Sequence, residues 1–378
     1  MELYVHIPFC RRKCRYCDFV SFPGSDQQMT VYVEALLQEA ANRIDDITEP
    51  IETVYFGGGT PSILSAHLLK KLIDGLKDLL PLENVKEWTS EANPGTVTAA
   101  WLETAQSCGI NRLSLGVQAV QTRLLQSLGR IHTMENVYES FTMIRKTGFT
   151  NVNVDLIFGL PSQTLNEWRE TLQKIILLSP EHISAYGLIP EEGTPLYEDL
   201  QAGRLSLPPV EQEREMYEIL LRELTKNGFE QYEISNFSLP GYSCKHNIGY
   251  WTQVPYLGIG LSAASMIHPV YENGFSYQRR LNKKNLPEWL SGHYTDSLET
   301  ISPSEARFET MMLGLRMNRG ISETEFKKLH HVSLKSCYGN KLQSLADRNL
   351  IQYKKPFWSL TRQGMDLQNM VLVELMDE

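Results

Sequence analysis

Polar and apolar residues alternate through Leu3, Tyr4, Val5, His6 and Ile7, the period of a strand with one buried face. Taken as Leu3 to Phe9, this run is followed by comparable ones at Thr53 to Phe56, Trp88 to Ala92, Arg112 to Val117, Asn151 to Phe158 and His182 to Leu188. Between them the apolar spacing widens to that of amphipathic helices. These are expected over Thr30 to Ile44, Ala66 to Leu80, Thr98 to Cys108, as a pair within Thr122 to Lys146, and over Leu165 to Leu178. Strand and helix in alternation predict a parallel sheet joined by right-handed crossovers. Periodicity leaves two forms open, a doubly wound sheet and a curved partial barrel.

The polar motifs choose between them. A cysteine-rich loop follows the first strand, Gly57-Gly58-Gly59-Thr60-Pro61 follows the second, Glu91 and Asn93 lie at the third, Gln118 follows the fourth, and Asp155 lies within the fifth. Ligands gathered from successive strand ends around one rim belong to barrel sites. The expected fold is therefore α/β, a partial (β/α)6 barrel. Beyond Pro195 the alternation stops. A helix is expected over Val210 to Asn227 and a strand-like segment over Phe229 to Phe237. Helices starting at Ser302-Pro303-Ser304-Glu305 precede a hairpin at Leu350 to Thr361. The expected divisions are residues 1–238 for the barrel and connecting elements, 239–300 for a linker region, and 301–378 for a smaller, mainly helical domain of winged-helix type.

Composition adds exclusions. With 42% hydrophobic and 21% charged residues, the 378-residue chain is an ordinary globular protein, and its formal charge of −9 argues against a general nucleic-acid binder. No basic segment precedes the apolar strand, and no apolar run approaches the ~18 residues of a membrane span. A cytoplasmic protein without a transmembrane segment is expected; peripheral membrane contact stays open. Cys108, Cys244 and Cys337 are scattered, the pattern of a reducing compartment rather than of a disulfide framework.

Cys10, Cys14 and Cys17 form a C-x3-C-x2-C run. Three thiolates on one loop suit a soft metal centre, zinc or iron-sulfur. Zinc would need a fourth ligand from His6, Asp18 or farther away, and the chain holds no second C-x2-C pair. Three cysteines suit instead a cubane cluster with one iron left open. This loop, placed after a first strand, resembles that of the radical S-adenosylmethionine (SAM) superfamily, where the amino and carboxylate groups of SAM take the open iron.

Other candidates are weaker one by one. Tyr4 and His6 share a face of the first strand, directed at the lumen, where a lone histidine is usually structural. Gly57 to Gly59 let main-chain groups approach a charged ligand closely, as a tight turn also would. Glu91, Gln118, Arg130 and Asp155 are polar groups at the rim; a carboxylate suits ribose hydroxyls and an arginine suits the SAM carboxylate.

Their joint order carries a resemblance. YVHIPFC, GGGTPS, SEANPG, NRLSLGVQ, LGR-x-H and NVDLIFGLPSQT follow the order and spacing of the HemN-like radical SAM proteins, the oxygen-independent coproporphyrinogen III oxidases and their relatives. The resemblance implies a [4Fe-4S] cluster on Cys10, Cys14 and Cys17, with Tyr4, Gly58, Thr60, Glu91, Gln118, Arg130 and Asp155 around SAM. The oxidases carry a further cysteine two places after the third, where this chain has Phe19, and a long segment before the first strand. Both features resemble the HemW branch instead, a heme chaperone group. That group carries H-N-x-x-Y-W, present here as His246-Asn247-Ile248-Gly249-Tyr250-Trp251.

The branch implies heme as a ligand, with His246 as a transient axial ligand and Cys244 as a competing thiolate. It also implies delivery to recipient hemoproteins such as respiratory cytochromes, and homodimeric assembly. Arg279 and Arg280 are candidate partners for the heme propionates. The chain departs from its relatives at Ala264, where they often carry a histidine; His268 is the nearby substitute. A true radical SAM enzyme acting on a porphyrin, including coproporphyrinogen oxidation, is the alternative activity, favoured by retention of the SAM set.

Overall fold

The computed structural model describes residues 1–272 and 274–376. Six strands run parallel in one sheet: β1 (Glu2–Ile7), β2 (Thr53–Gly58), β3 (Glu87–Ala92), β4 (Arg112–Gln118), β5 (Val152–Phe158) and β6 (His182–Gly187). The connecting helices are α1 (Asp26–Asn42), α2 (Ala66–Leu79), α3 (Ala99–Ser107), the pair α4 (Thr122–Ser127) and α5 (Met134–Thr147), and α6 (Leu165–Leu177). This is the expected α/β fold, six parallel strands alternating with helices, followed by a smaller C-terminal domain of helices. Local chemistry explains the differences in bounds. β1 stops at Ile7 because Pro8 has no N–H to give the ladder. α1 starts before Thr30 because Ser25 and Gln28 close a capping box.

After α7 (Pro195–Gln201) and α8 (Val210–Lys226), the expected strand at Phe229 to Phe237 is two short antiparallel strands, β7 (Glu230–Gln231) and β8 (Asn236–Ser238). Buried Glu233 turns the chain between them by accepting from the Ser235 N–H and the Asn236 side chain. The segment 239–300, expected as a linker, carries α9 (Lys245–Trp251), β9 (Tyr256–Ile259), β10 (Ala264–Val270), β11 (Ser276–Asn282), α10 (Leu286–Leu290) and most of β12 (Thr295–Ile301). β9 joins the free edge of β1 in parallel, and β10 to β12 follow antiparallel, so the described sheet has 12 strands.

α11 (Pro303–Gly314) opens the C-terminal domain with the expected Ser302 to Glu305 capping box. Next come β13 (Ile321–Ser322), α12 (Glu323–His330), α13 (Leu334–Asp347), the hairpin β14 (Ile351–Lys354) and β15 (Phe357–Leu360), α14 (Arg362–Asp366) and α15 (Gln368–Leu375). Met311, Leu315, Phe326, Leu342 and Leu345 give it a core of its own. Positions 377 and 378 of the expected domain lie outside the described residues. No helix among the described residues is long and apolar enough to cross a membrane.

Glu39 ties α1 to the sheet extension. Its fully buried carboxylate accepts from the Gly260 N–H (2.8 Å), the Asn282 amide (2.7 Å) and the Trp289 indole N–H (3.1 Å). Burial raises its pKa to about 6 against these bonds. Glu39→Ala orphans three buried donors, and urea unfolding is expected to show a loss of about 3 kcal/mol or more.

Candidate functional site

At the C-terminal ends of the parallel strands lies a cavity of about 450 Å³, bordered by Cys10, Cys14, Cys17, Gly58, Glu91, Gln118, Arg130 and Asp155. Each strand contributes by its register. Leu3, Val5 and Ile7 are buried against the helices, which leaves Tyr4 and His6 on the inner face. His6 braces the cysteine loop, with Nε2 2.9 Å from the Val20 carbonyl. Gly58, at φ +102°, packs on the His6 ring, where a Cβ would approach to 2.3 Å. At Gly59 a Cβ would come within 2.7 Å of the Ile7 and Phe9 carbonyls. A shift in the β4–β5 register after Gly116, with Gln118 at φ 68°, puts Gln118 on the cavity wall.

A chain of hydrogen bonds links two of the cysteines. Thr60 donates to Cys10 Sγ (3.4 Å) and accepts from Asn93 (2.7 Å); Asn93 accepts from Arg130 (2.6 Å), and Arg130 donates to Cys14 Sγ (3.5 Å). Arg130 Nε is buried without a partner in this set. Among the described residues no three His, Cys, Asp or Glu side chains crowd around a single ion position. The three thiols border one cavity, a donor set that suits a cubane with one iron left open. Burial raises the pKa of Cys10 and Cys17, so metal binding would release their protons.

Deeper in the cavity, Glu91 accepts from Tyr55 Oη (2.9 Å) and the Gly58 N–H (3.2 Å). Burial, and then the neighbouring Asp155, raise its pKa to about 7. Asp155 accepts from Ser114 Oγ and Asn153 Nδ2, both at 2.8 Å, while burial pushes its pKa up. Five of the expected SAM residues thus face one cavity: Gly58, Glu91, Gln118, Arg130 and Asp155. Thr60 stands behind the cysteines. Tyr4 departs from expectation; it is hydrogen-bonded to His6 (3.1 Å) and lines a different cleft. Sequence reasoning missed Tyr55, Ser114 and Asn153, whose signal was their inward register beside motif residues.

His246 lies at the opposite end of the barrel. Glu87, the first residue of β3, accepts from the Lys245 N–H (3.0 Å) and the His246 N–H (3.1 Å), an acidic cap on the first turn of α9. The His246 ring is 1% exposed, with Nδ1 2.7 Å from Thr53 Oγ1 and Nε2 2.9 Å from Tyr250 Oη. Both nitrogens are occupied, so in this conformation neither is open to iron, which differs from the expected axial role. Burial pulls the His246 pKa down to about 3 and pushes Glu2 up to about 9. Both are neutral near pH 7, so their 3.8 Å approach is no ion pair. Cys244 is equally inaccessible, buried with Sγ 3.4 Å from Glu87.

The other end of the motif opens on solvent. Tyr250, Trp251, Tyr256, Ala264, Met266 and Arg279 line a cleft of about 470 Å³ between the sheet extension and α11. Arg279 reaches it while paired with Glu309 (2.6 Å). Arg280 does not; it is 4% exposed and bound to Asp46 at 2.7 Å. His268 also pairs with Asp46, at 3.0 Å, away from the cleft. Neither serves as the sequence led us to expect.

Residues 4–175 match the radical SAM superfamily and 301–367 match the HemN C-terminal domain. The chain is 38% identical to the heme chaperone HemW of Bacillus subtilis, over 99% of both chains. It is 34% identical to that of Escherichia coli, over 86% of this chain and 85% of the other. The chain belongs to the HemW heme chaperone family. Among solved structures, coproporphyrinogen III oxidase (HemN) from Escherichia coli superposes with a TM-score of 0.84 over 99% of this chain and 89% of that one; at 21% identity this likeness concerns the fold. Membership in the radical SAM group of HemW implies a [4Fe-4S] cluster and SAM.

Glu91 gives the site a pH dependence. Its raised pKa means its stabilising contribution is complete below the ordinary 4.5 and is lost as pH rises through about 7. The urea midpoint of the ligand-free protein is expected to fall across that window. Glu39 titrates there too, so the smaller slope of Glu91→Gln isolates the Glu91 share.

Proposed function

We propose that this protein binds a [4Fe-4S] cluster on Cys10, Cys14 and Cys17, SAM beside Gly58, Glu91, Gln118, Arg130 and Asp155, and heme at the HNxxYW end of the molecule, and that it hands heme to recipient hemoproteins in the cytoplasm. Family membership supports the heme role. One observation carries the site: Tyr250 and Trp251, the aromatic end of the motif, share one solvent-open cleft with Met266 and Arg279. Flat aromatic and methionine walls suit a porphyrin face, and a cleft of this size is ordinary for a cofactor-sized ligand. Arg279 can turn from Glu309 to a propionate, exchanging one carboxylate for another. His246 holds Tyr250 in place from behind.

On the barrel side, Arg130 supplies a cation beside Cys14, and Glu91 supplies a carboxylate for ribose hydroxyls. When bound, the cluster would supply an open iron for the amino and carboxylate groups of SAM. Cys10→Ser, Cys14→Ser and Cys17→Ser are each expected to abolish iron and sulfide retention after anaerobic reconstitution while the circular dichroism spectrum stays unchanged.

Heme titrations separate the heme roles. Trp251→Ala and Met266→Ala are expected to weaken heme binding at least about tenfold, the scale of one lost packing contact. His246→Ala is expected to weaken it with no change in the absorption spectrum of the bound heme. A shifted Soret band in His246→Ala would make that ring an iron ligand after all, released by movement of α9.

A second reading, a radical SAM enzyme acting on a porphyrin, is favoured by the polar groups Glu91, Gln118, Arg130 and Asp155 in the barrel cavity. Protoporphyrinogen formed from coproporphyrinogen III with SAM and a reductant would establish it.

A further inference from the structure

Four tyrosines line the aromatic cleft, Tyr4, Tyr250, Tyr256 and Tyr277, and three of their hydroxyls are engaged. Tyr4 is bonded to His6 (3.1 Å), Tyr250 to His246 (2.9 Å), and Tyr277 to Arg279 (2.8 Å) and Glu309. Tyr256 differs. Its Oη bonds to no described residue and is not sealed from solvent, so a free oxygen donor stands at the cleft. The other candidates for iron are spent or unsuited. Glu309 is held by Arg279 and Tyr277, the Gln253 amide oxygen accepts from Thr310, and the Trp251 indole has no lone pair to give. Met266 and Met312 offer thioethers, soft donors that a hard ferric ion takes poorly.

The backbone register places this oxygen. Tyr256 stands opposite Met266 across β9 and β10, and Met266 stands opposite Arg279 across β10 and β11, so the three form one row on one face. Two strand spacings put Tyr256 and Arg279 roughly 10 Å apart at the backbone. That is the order of the reach from the iron of a porphyrin to its propionates. The Tyr250 ring stands edge-on to Tyr256 with centroids 4.8 Å apart, and His246 fixes Tyr250 from behind. The HNxxYW motif thus braces a tyrosine at the cleft without presenting its own imidazole.

We propose that Tyr256 supplies the axial oxygen ligand to ferric heme in this cleft. The inference rests on the heme reading of the cleft. An anionic oxygen suits ferric iron, and tyrosinate is an established type of heme ligand. Burial raises the Tyr256 pKa while Arg279 pulls against it, so the phenol is protonated before heme arrives. Ferric heme arrives with an axial hydroxide taken from water. On binding, the iron–hydroxide bond breaks and an iron–phenolate bond forms; the phenol proton leaves with the hydroxide as water. Iron stays ferric and no reductant takes part.

Ferric heme and metal-free protoporphyrin IX are titrated in parallel into the full chain. Tyr256→Phe is expected to weaken ferric heme at least about tenfold and to leave the metal-free porphyrin, which has no iron to coordinate, within about twofold of wild type. Resonance Raman spectra of the bound ferric heme, excited in the phenolate-to-iron charge-transfer band, are expected to show phenolate vibrations. These are expected to shift when the tyrosines are ring-deuterated, to survive Tyr250→Phe and Tyr277→Phe, and to vanish in Tyr256→Phe. The labelled wild type reads the ligand even if Tyr256→Phe misfolds.

Equal losses of both porphyrins in Tyr256→Phe would make the residue a packing contact and overturn the proposal. So would wild-type heme without phenolate vibrations, vibrations that Tyr250→Phe removes, or a heme spectrum that changes in Met266→Ala and not in Tyr256→Phe. A wild type that binds neither porphyrin would sink the heme reading itself; one that binds both, with no phenolate signal from heme, would sink the ligand alone.

Discussion

The molecule depends on the two-sided pairing of β1. Parallel ladders to β2 on one edge and β9 on the other leave β1 no freedom of register, because a slip by one residue would turn Leu3, Val5 and Ile7 away from the core. The C-terminal end of this pinned strand runs straight into the cysteine loop. Its N-terminal end meets α9 and the motif histidine. One strand therefore fixes both ends of the chemistry.

Between the ends lies a continuous line of packed side chains. The His246 ring stacks on Tyr55 at 5.2 Å, Tyr55 stacks on Tyr4 at 6.3 Å, and the Tyr55 hydroxyl donates to Glu91 in the barrel cavity. The aromatic cleft and the cysteine cavity are thus joined through a layer of tyrosines. The layer explains why a histidine motif far from the cysteines in sequence still bears on the same fold.

The burial of charge follows from this arrangement. Burying Glu2, Glu91 and Asp155 raises all three pKa values, because burial penalises the carboxylate form. Hydrogen bonds from Ser114 and Asn153 relieve Asp155 in part. Arg112, 2% exposed in the same layer, helps to hold His246 neutral.

The sequence by itself determined the six parallel strands, the C-x3-C-x2-C loop and the rim residues Gly58, Glu91, Gln118, Arg130 and Asp155. Period-two patterning and strand-end motifs are local, and a parallel barrel maps each strand end onto one rim. It did not reveal that residues 239–300 extend the sheet, since the four-residue β9 is too short to show a period and the register of β10 shifts against β11. Nor did it reveal that His246 is sealed between Thr53 and Tyr250 while Tyr250 and Trp251 face a cleft, that Arg280 is consumed by Asp46, or that Tyr4 turns from the barrel cavity. Those outcomes depend on partners distant in the chain. Which nitrogen, guanidinium or hydroxyl remains free is settled only when tertiary packing has brought its competitors within reach.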